Sequence, residues 1–231
     1  MKKPMDRKNK IIDLSFELHE KMIIYPSKSQ VPFNSNILAN IETDGRETRK
    51  FTMGSHCGTH VDAPKHFIKD GKSVEEYNLK DLVGLALLID LGHLSPNSVI
   101  KLNDFKDQLD RANLNSRVKR VVFRSYWSKY WGTNQYFNGW PYFDKESIQY
   151  LIQCKIKLIG LDFPSPDCKF GSKNCNEDSP NHRLIFNAQI ILTEYLTNLD
   201  KLDTGMIHLS VLPLKLVGFD GSPARVIAYN I

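Results

Sequence analysis

Twelve consecutive residues, His56-Cys57-Gly58-Thr59-His60-Val61-Asp62-Ala63-Pro64-Lys65-His66-Phe67, hold three of the chain's seven histidines and an aspartate. Imidazole and carboxylate crowded this closely are a metal-site composition, suited to Zn²⁺, Mn²⁺ or Fe²⁺. Three protein ligands with one open position is what a catalytic ion needs in order to hold water. Spacing then tests the local structure. On an α-helix His56 and His60 share a face, but Asp62 lies about 240° round from His56 at roughly 100° per residue. In an extended chain positions 56, 60 and 62 all point one way, and Cys57 points the other. A flat strand separates the α-carbons of His56 and His60 by about 13 Å, at roughly 3.3 Å per residue. That is long for one ion, so a bulge or kink at Gly58 is expected. Pro64 ends the extended run and forbids a helix through it, which sends His66 onto a new path beyond a rigid corner. His66 is therefore expected near the metal without being an obligatory ligand.

At 231 residues the chain fits one large domain or two small ones, with enough length to bury a core unaided. No repeat, low-complexity linker or composition shift marks a second domain, so one domain over residues 1–231 is expected. Hydrophobic content of 41% and charged content of 25% are ordinary for a globular protein. The net charge of +5 is modest and dispersed, with no basic stripe interleaved with aromatics, and nucleic acid is not an expected partner. The run Lys2, Lys3, Arg7, Lys8 and Lys10 reads as a solvated terminus. It lacks the apolar core of a signal peptide, and no run approaches a membrane span. Four cysteines, Cys57, Cys154, Cys168 and Cys175, form no C-x-x-C pair, and a reduced cytoplasmic protein is the expectation. Cys168 and Cys175 are close enough to invite a bond or a soft-metal site, but ordinary loop thiols are expected there.

Strands are expected at Ile11 to Phe16, Glu47 to Thr52, Leu82 to Leu91, Arg117 to Arg124, Lys157 to Phe163, Met206 to Leu212 and Ala224 to Ala228. A Pro, Ser and Asn-rich loop separates the first two, and a turn through Gly218, Asp220, Gly221, Ser222 and Pro223 joins the last two. Asp144 reads as the N-cap of a helix carrying Ile148, Leu151 and Ile152, which leads into the strand at Lys157. From Tyr126 to Phe143 three tryptophans and several other aromatics crowd a loop, where they must pack on the body, wall a pocket or meet another subunit.

The segment from His56 to Phe67 resembles the H-x-G-T-H-x-D-x-P-x-H signature of the cyclase superfamily, which includes bacterial kynurenine formamidases and isatin hydrolases. Ile12-Asp13-Leu14-Ser15 looks like that family's opening strand, and Gly160-Leu161-Asp162 with Ser165 and Asp167 like its G-I-D-x-x-S-x-D segment. Ser179-Pro180-Asn181-His182, leading to Glu194, Tyr195 and Leu196, is similar to H-x-x-L-L…E-x-L, and Pro213 to Arg225 to the closing motif. The resemblance implies a metal-dependent hydrolase on a single-domain α/β fold of the swivelling β/β/α type, with a mixed, strand-rich core. It also implies a homo-oligomer, a dimer or tetramer. Position by position it implies His56, His60 and Asp62 as ligands of a divalent ion, Zn or Mn, and His182 and Glu194 completing a second or shared site bridged by Asp62. His66 takes the acid/base role. Tyr25, before Pro26, stands as a substrate contact where kynurenine formamidases usually carry tryptophan. Read without the resemblance, His182 is a helix-start residue after a Ser179 cap, and Glu194 a surface charge at a strand end.

The chemistry implied is hydrolysis of an amide-type C–N bond in an aryl formamide or cyclic amide, with a bound ion lowering the pKa of its water from 15.7 to about 7. A histidine titrates in the right range to accept a proton and return it to the leaving nitrogen. Thr59, Asp162 and Asp167 are candidates to orient the imidazoles. Two alternatives remain open: a metal-dependent cyclase or dehydratase acting on a polyketide-like or other carbonyl substrate, and a non-catalytic metal-binding module. A serine hydrolase is disfavoured by the lack of a G-x-S-x-G elbow, and phosphate-loop chemistry by the lack of G-x-x-x-x-G-K-[ST].

Overall fold

Apolar, β-branched runs dominate the chain, and the computed structural model, which describes residues 10–112, 118–172 and 175–231, turns each of them into a strand. The chain enters through β1 (Ile12–Asp13) and then forms a hairpin of β2 (Asn34–Ala39) and β3 (Thr48–Thr52). One helical turn, α1 (Ile41–Asp44), joins them; the Asn40 side chain caps it and Gly45, at φ +69°, ends it. β3 is the strand expected at Glu47 to Thr52, while β2 lies where only a loop was expected. Its residues are largely exposed on both faces, so no alternation of apolar and polar side chains marks β2 in the sequence.

Next come β4 (His60–Asp62), a 3₁₀ turn at Pro64–His66, and α2 (Leu79–Leu82), which runs directly into β5 (Val83–Asp90). β6 (Val99–Ile100), α3 (Lys106–Ala112), β7 (Arg120–Arg124) and β8 (Tyr142–Phe143) follow. Asp144 caps α4 (Lys145–Gln153) as expected, accepting the Ser147 N–H at 2.8 Å, and β9 (Leu158–Leu161) comes straight after it. The chain ends with α5 (Pro180–Asn187), β10 (Ile191–Glu194), β11 (Gly205–Pro213) and β12 (Gly221–Asn230). Lys2, Lys3, Arg7, Lys8 and the expected strand start at Arg117 lie outside the described residues.

Seven strands close into a ring in the order β4-β10-β9-β7-β5-β11-β12, because β12 pairs with β4 as well as with β11; β1 pairs beside β12 as an eighth strand. Neighbours from β5 to β10 run parallel and the remaining pairs antiparallel. Alternation sorts the side chains. Ala86, Leu88, Val122 and Leu158 pack inside with Ile207, Leu209 and Val226, while Leu87, Ile89, Val121, Phe123, Ile159 and Leu161 meet α4 and α5 in an outer layer. The strand-rich α/β architecture expected from the sequence holds, and its central strands are buried on both faces, which is why they read as continuous apolar runs.

The aromatic segment from Tyr126 to Phe143 is chiefly outer core. Trp127, Tyr136, Phe137, Trp140 and Phe143 are buried, and the two indole N–H groups of Trp127 and Trp140 donate to the carbonyls of Tyr136 and Asp167. Trp140 also reaches the cleft described below. Cys168 and Cys175, expected as loop thiols, form a disulfide. The Gly171 N–H donates to the Cys175 carbonyl and the Cys175 N–H to that of Ser172, which curls the segment back on itself, a closure that spacing alone does not announce. Among the described residues no helix is long and apolar enough to cross a membrane.

Leu192 is fully buried in β10, opposite Asp62 of β4. Leu192→Ala is expected to cost about 2–5 kcal/mol, read as a lower urea midpoint at unchanged slope, whereas Asp144→Ala, which loses only a helix cap, is expected to cost about 1 kcal/mol.

Candidate active site

Gly58 resolves the spacing problem of the histidine segment. Its φ of +64° turns the chain so that β4 begins only at His60, leaving His56 on the preceding turn rather than on the strand expected to carry both. A Cβ at Gly58 would lie 2.6 Å from Leu18 Cδ2, so both the dihedral and the space call for glycine. Cys57 points away into the core against Met22, as alternation predicts. β4 then lies between β10 and β12, and its register sets His60 opposite Glu194 and Asp62 opposite Gly221.

His182 arrives in the first turn of α5 by a different route. Ser179 occupies the N-cap position at φ +54° but makes no side-chain cap. The buried Asp167 does that work from outside the helix: Oδ1 accepts the Asn181 N–H at 2.7 Å, and Oδ2 accepts the His182 N–H at 3.1 Å and its Nδ1–H at 2.6 Å. His60 is held alike, Nδ1–H donating to the Gly58 carbonyl at 2.8 Å. Both rings are thus fixed with Nε2 turned toward the cluster, as a metal-ligating histidine requires. On His182 burial opposes charge, but Asp167, Asp62 and Glu194 outweigh it and push the imidazole well up, so an ion would displace its Nε2 proton. Glu194, a surface charge by its local sequence but a ligand by the resemblance, is 4% exposed at the end of β10. Of the other candidate orienting residues, Thr59 ties Phe16 to Tyr195, and Asp162 accepts from Ser125, with burial pushing its carboxyl up to about 6.

The two Nε2 atoms face two carboxylates. His60 Nε2 lies 3.0 Å from Asp62 Oδ1 and 3.6 Å from Glu194 Oε2; His182 Nε2 lies 3.6 Å from Asp62 Oδ2 and 3.5 Å from Glu194 Oε1. His56 Nδ1 adds a contact of 2.7 Å to Asp62 Oδ1. Ligand atoms around an ion bound at about 2.0–2.2 Å are spaced by roughly 3 to 3.6 Å, so these separations match the edges of a coordination shell. Two three-residue sets meet at Asp62: His56 with His60, and His182 with Glu194. Glu194 Oε1 is buried without a hydrogen-bond partner among the described residues. Burial and the facing Asp62 charge push the Glu194 carboxyl up, whereas His56 and His60 overcome burial to hold Asp62 well below the usual carboxylate range. Two buried acids at this distance, one of them orphaned, are what a cation would neutralise. The donor set fits one divalent ion or two sharing Asp62.

His66 stands beside this cluster on the 3₁₀ turn that Pro64 starts, its ring 3.9 Å from that of His56 and about a third exposed. Its Nδ1 is 3.2 Å from Asp220 Oδ2, which also takes His56 Nε2 at 2.9 Å. These bonds hold the Asp220 carboxyl well below its ordinary range. Burial opposes charge on His56, but Asp62 and Asp220 outweigh it and push that imidazole up to about 10. Asp220, His56 and His66 form a third metal-compatible group. From its local sequence Asp220 reads only as part of a turn, and no local spacing ties it to the histidines.

Above the cluster opens a cleft of about 320 Å³, walled by Tyr25, Phe67, Trp140, Phe170 and Tyr195. Tyr25 is half-buried, edge-on to Phe137 at 5.5 Å, and its hydroxyl is pushed up by burial and by the charges of Asp178 and Glu194. No described lysine or arginine lines the cleft.

Residues 12–168 match the family described as "Putative cyclase". The kynurenine formamidase of Geobacillus thermodenitrificans is 31% identical over 218 residues, 94% of this chain and 96% of that protein, and that of Bacillus anthracis 30% identical over 220 residues, 95% and 97%. Among solved structures, isatin hydrolase A from Labrenzia aggregata superposes with a TM-score of 0.82 at 25% identity, covering 95% of this chain and 93% of that one. A structure described as a potential metal-dependent hydrolase with cyclase activity gives 0.73 at 26%, over 96% and 98%. With its motif histidines, aspartate and glutamate gathered around the strand that closes the ring of a matching fold, the chain belongs to the cyclase family.

Proposed function

We propose that this protein is a metal-dependent hydrolase that cleaves the amide-type C–N bond of an aryl formamide or cyclic amide. His56, His60, Asp62, His182 and Glu194 hold Zn²⁺ or Mn²⁺, as one ion or two, and His66 carries the proton. The observation that bears most weight is the convergence of two imidazole Nε2 atoms and two buried carboxylates at 3.0–3.6 Å. Kynurenine formamidases along nearly the whole chain support the substrate class.

A bound divalent ion supplies an ionised water near neutral pH and polarises the carbonyl under attack. The chain's own residues do the rest. Asp167 and the Gly58 carbonyl keep His182 and His60 in the ligating tautomer. His66, outside the innermost cluster but lining the cleft, accepts a proton as the tetrahedral centre forms and returns it to the leaving nitrogen. Tyr25, Phe67 and Trp140 sandwich a planar substrate, and the described wall, which holds no lysine or arginine, suits a neutral one. An open cleft over the cluster weighs against a silent metal module. A cytoplasmic setting belongs to the same reading; there the Cys168–Cys175 bond faces a reducing thiol pool.

A homo-oligomer completes the proposal. The β2–β3 hairpin leaves Ile37, Leu38 and Phe51 more than half exposed, and a two-stranded ribbon so little covered is marginal in water, so a second copy is its natural cover. Light scattering is expected to give at least the dimer mass, and Phe51→Glu to shift it toward the monomer; a monomeric parent protein would remove this part.

His60→Ala and Asp62→Ala are expected to lose bound metal and activity together, while His66→Ala keeps the metal and loses about 10²–10⁴-fold in turnover. Metal analysis beside a screen of aryl formamides, isatin and lactones reads both; full activity in a metal-free preparation would sink the proposal, and carbon-chemistry products without ring opening would favour a cyclase. Because His56 is protonated up to about pH 10 in the ion-free protein, ligation must displace that proton. Titrating Zn²⁺ at neutral pH is therefore expected to release protons, measured by calorimetry in two buffers of different ionisation enthalpy, and affinity is expected to fall as pH falls. No buffer dependence would remove His56 from the ligand set.

A further inference from the structure

One carboxylate oxygen joins the metal cluster to the residue that carries the proton. Asp220 Oδ2 accepts from His56 Nε2 at 2.9 Å and from His66 Nδ1 at 3.2 Å, and a carboxylate is an acceptor only, so each of those nitrogens carries its hydrogen. His56 is left with Nδ1 toward Asp62, and His66 is left with its lone pair on Nε2. Asp220 is itself fixed on three sides. The Ser55 hydroxyl donates to Oδ1 at 3.0 Å, the Ala63 N–H donates to its backbone carbonyl at 2.8 Å, and the following Gly221 is pressed against the His56 ring. A Cβ on Gly221 would lie 2.7 Å from His56 Cε1 and 2.8 Å from the Val61 carbonyl oxygen. The close fit of this corner allows neither histidine to swing without breaking a bond to Asp220.

We infer that Asp220 is the positioning residue of this site: it fixes Nε2 as the atom of His66 that exchanges the proton, and it holds His56 in its ligating pose. The inference rests on the reading of His66 as proton carrier. It differs from a fold-holding role for Asp220, which would be served by any side chain that keeps the 218–223 turn in place.

The test uses full-length Asp220→Asn and Asp220→Glu. Asparagine keeps the size but loses the charge and one of the two acceptor oxygens that Ser55 and the two histidines share; glutamate restores the carboxylate. Imidazole ¹⁵N spectra of histidine-labelled, ion-free protein at about pH 8.5, above the ordinary histidine range, are expected to show His66 protonated on Nδ1 in the parent protein. In Asp220→Asn the Nε2–H form is expected to gain, and in Asp220→Glu the parent pattern to return at least in part. With Zn²⁺ added, Asp220→Asn is expected to bind the ion about 10–100-fold more weakly in a chelator competition. At saturating Zn²⁺ its kcat for an aryl formamide is expected to fall by at least about 10²-fold with KM nearly constant. An unchanged His66 tautomer in Asp220→Asn would overturn the inference. A parent protein inactive on every formamide and lactam would overturn the functional reading alone, because the tautomer and the metal competition are read without turnover.

Discussion

Asp62 is the group on which the rest of this structure depends. It lies in the middle of the seam that closes the ring, paired to β10 on one side and β12 on the other, and it is almost wholly buried. A carboxylate there is tolerable only with compensating positive charge. His56 and His60 supply part of that in the ion-free protein, and the Tyr77 hydroxyl secures the backbone by donating to the Asp62 carbonyl at 2.7 Å. Glu194, facing it from β10 with a carboxylate oxygen unsatisfied, turns a tolerable charge into an excess of negative charge. The fold stores at its seam an electrostatic demand that a divalent ion is suited to meet.

The same geometry explains why chemistry sits at this place in the ring. A three-residue strand contributes few hydrogen bonds, so β4 depends on both neighbours to hold its register, and that register is what sets His60 opposite Glu194. Slipping it by one residue would turn His60 and Asp62 to the other face. Residues that arrive from loops and helices are then clamped by single hydrogen bonds to rigid acceptors: His182 by Asp167, His60 by the Gly58 carbonyl, His66 by Asp220. Positioning comes from the sheet, and tautomers come from the acceptors beside it.

How much of this was legible follows from where each constraint acts. The cluster at 56–62 could be read because its residues are adjacent and its kink is signalled by Gly58, and the buried strands could be read because burial on both faces leaves continuous apolar runs. Asp144 and α4 obeyed a local capping rule. Asp167 could be named as an orienting candidate, but not its partner, since the contact to His182 spans 15 positions with a turn between. Asp220 was beyond reach, 164 residues from His56 and inside a segment whose glycines and proline account for it fully as a turn. Glu194 misled because a charge at a strand end is ordinarily solvated, and only the tertiary placement of β4 buries it. Of the hairpin, β3 is the strand expected at Glu47 to Thr52, but its partner β2 escaped for the opposite reason: its side chains are mostly exposed and follow no burial rhythm.

Burial of the aromatic segment bears on how the cleft can discriminate. Trp127, Tyr136 and Phe137 are locked into the outer core by ring contacts at 4.6–5.5 Å, among them Tyr136 against Phe137 and Tyr195, and Trp131 stacks on Phe16 at 4.1 Å. A wall built this way is pre-organised and cannot fold down over a substrate as a loose loop would. Selectivity then falls to the residues that edge the opening, and Tyr25 is foremost, since it meets the cleft with its ring edge-on to Phe137 and a hydroxyl near two acids. A tyrosine at that edge offers a ring with a polar tip. The physical consequence is an aromatic edge with a hydrogen-bonding rim, set on a wall that does not move.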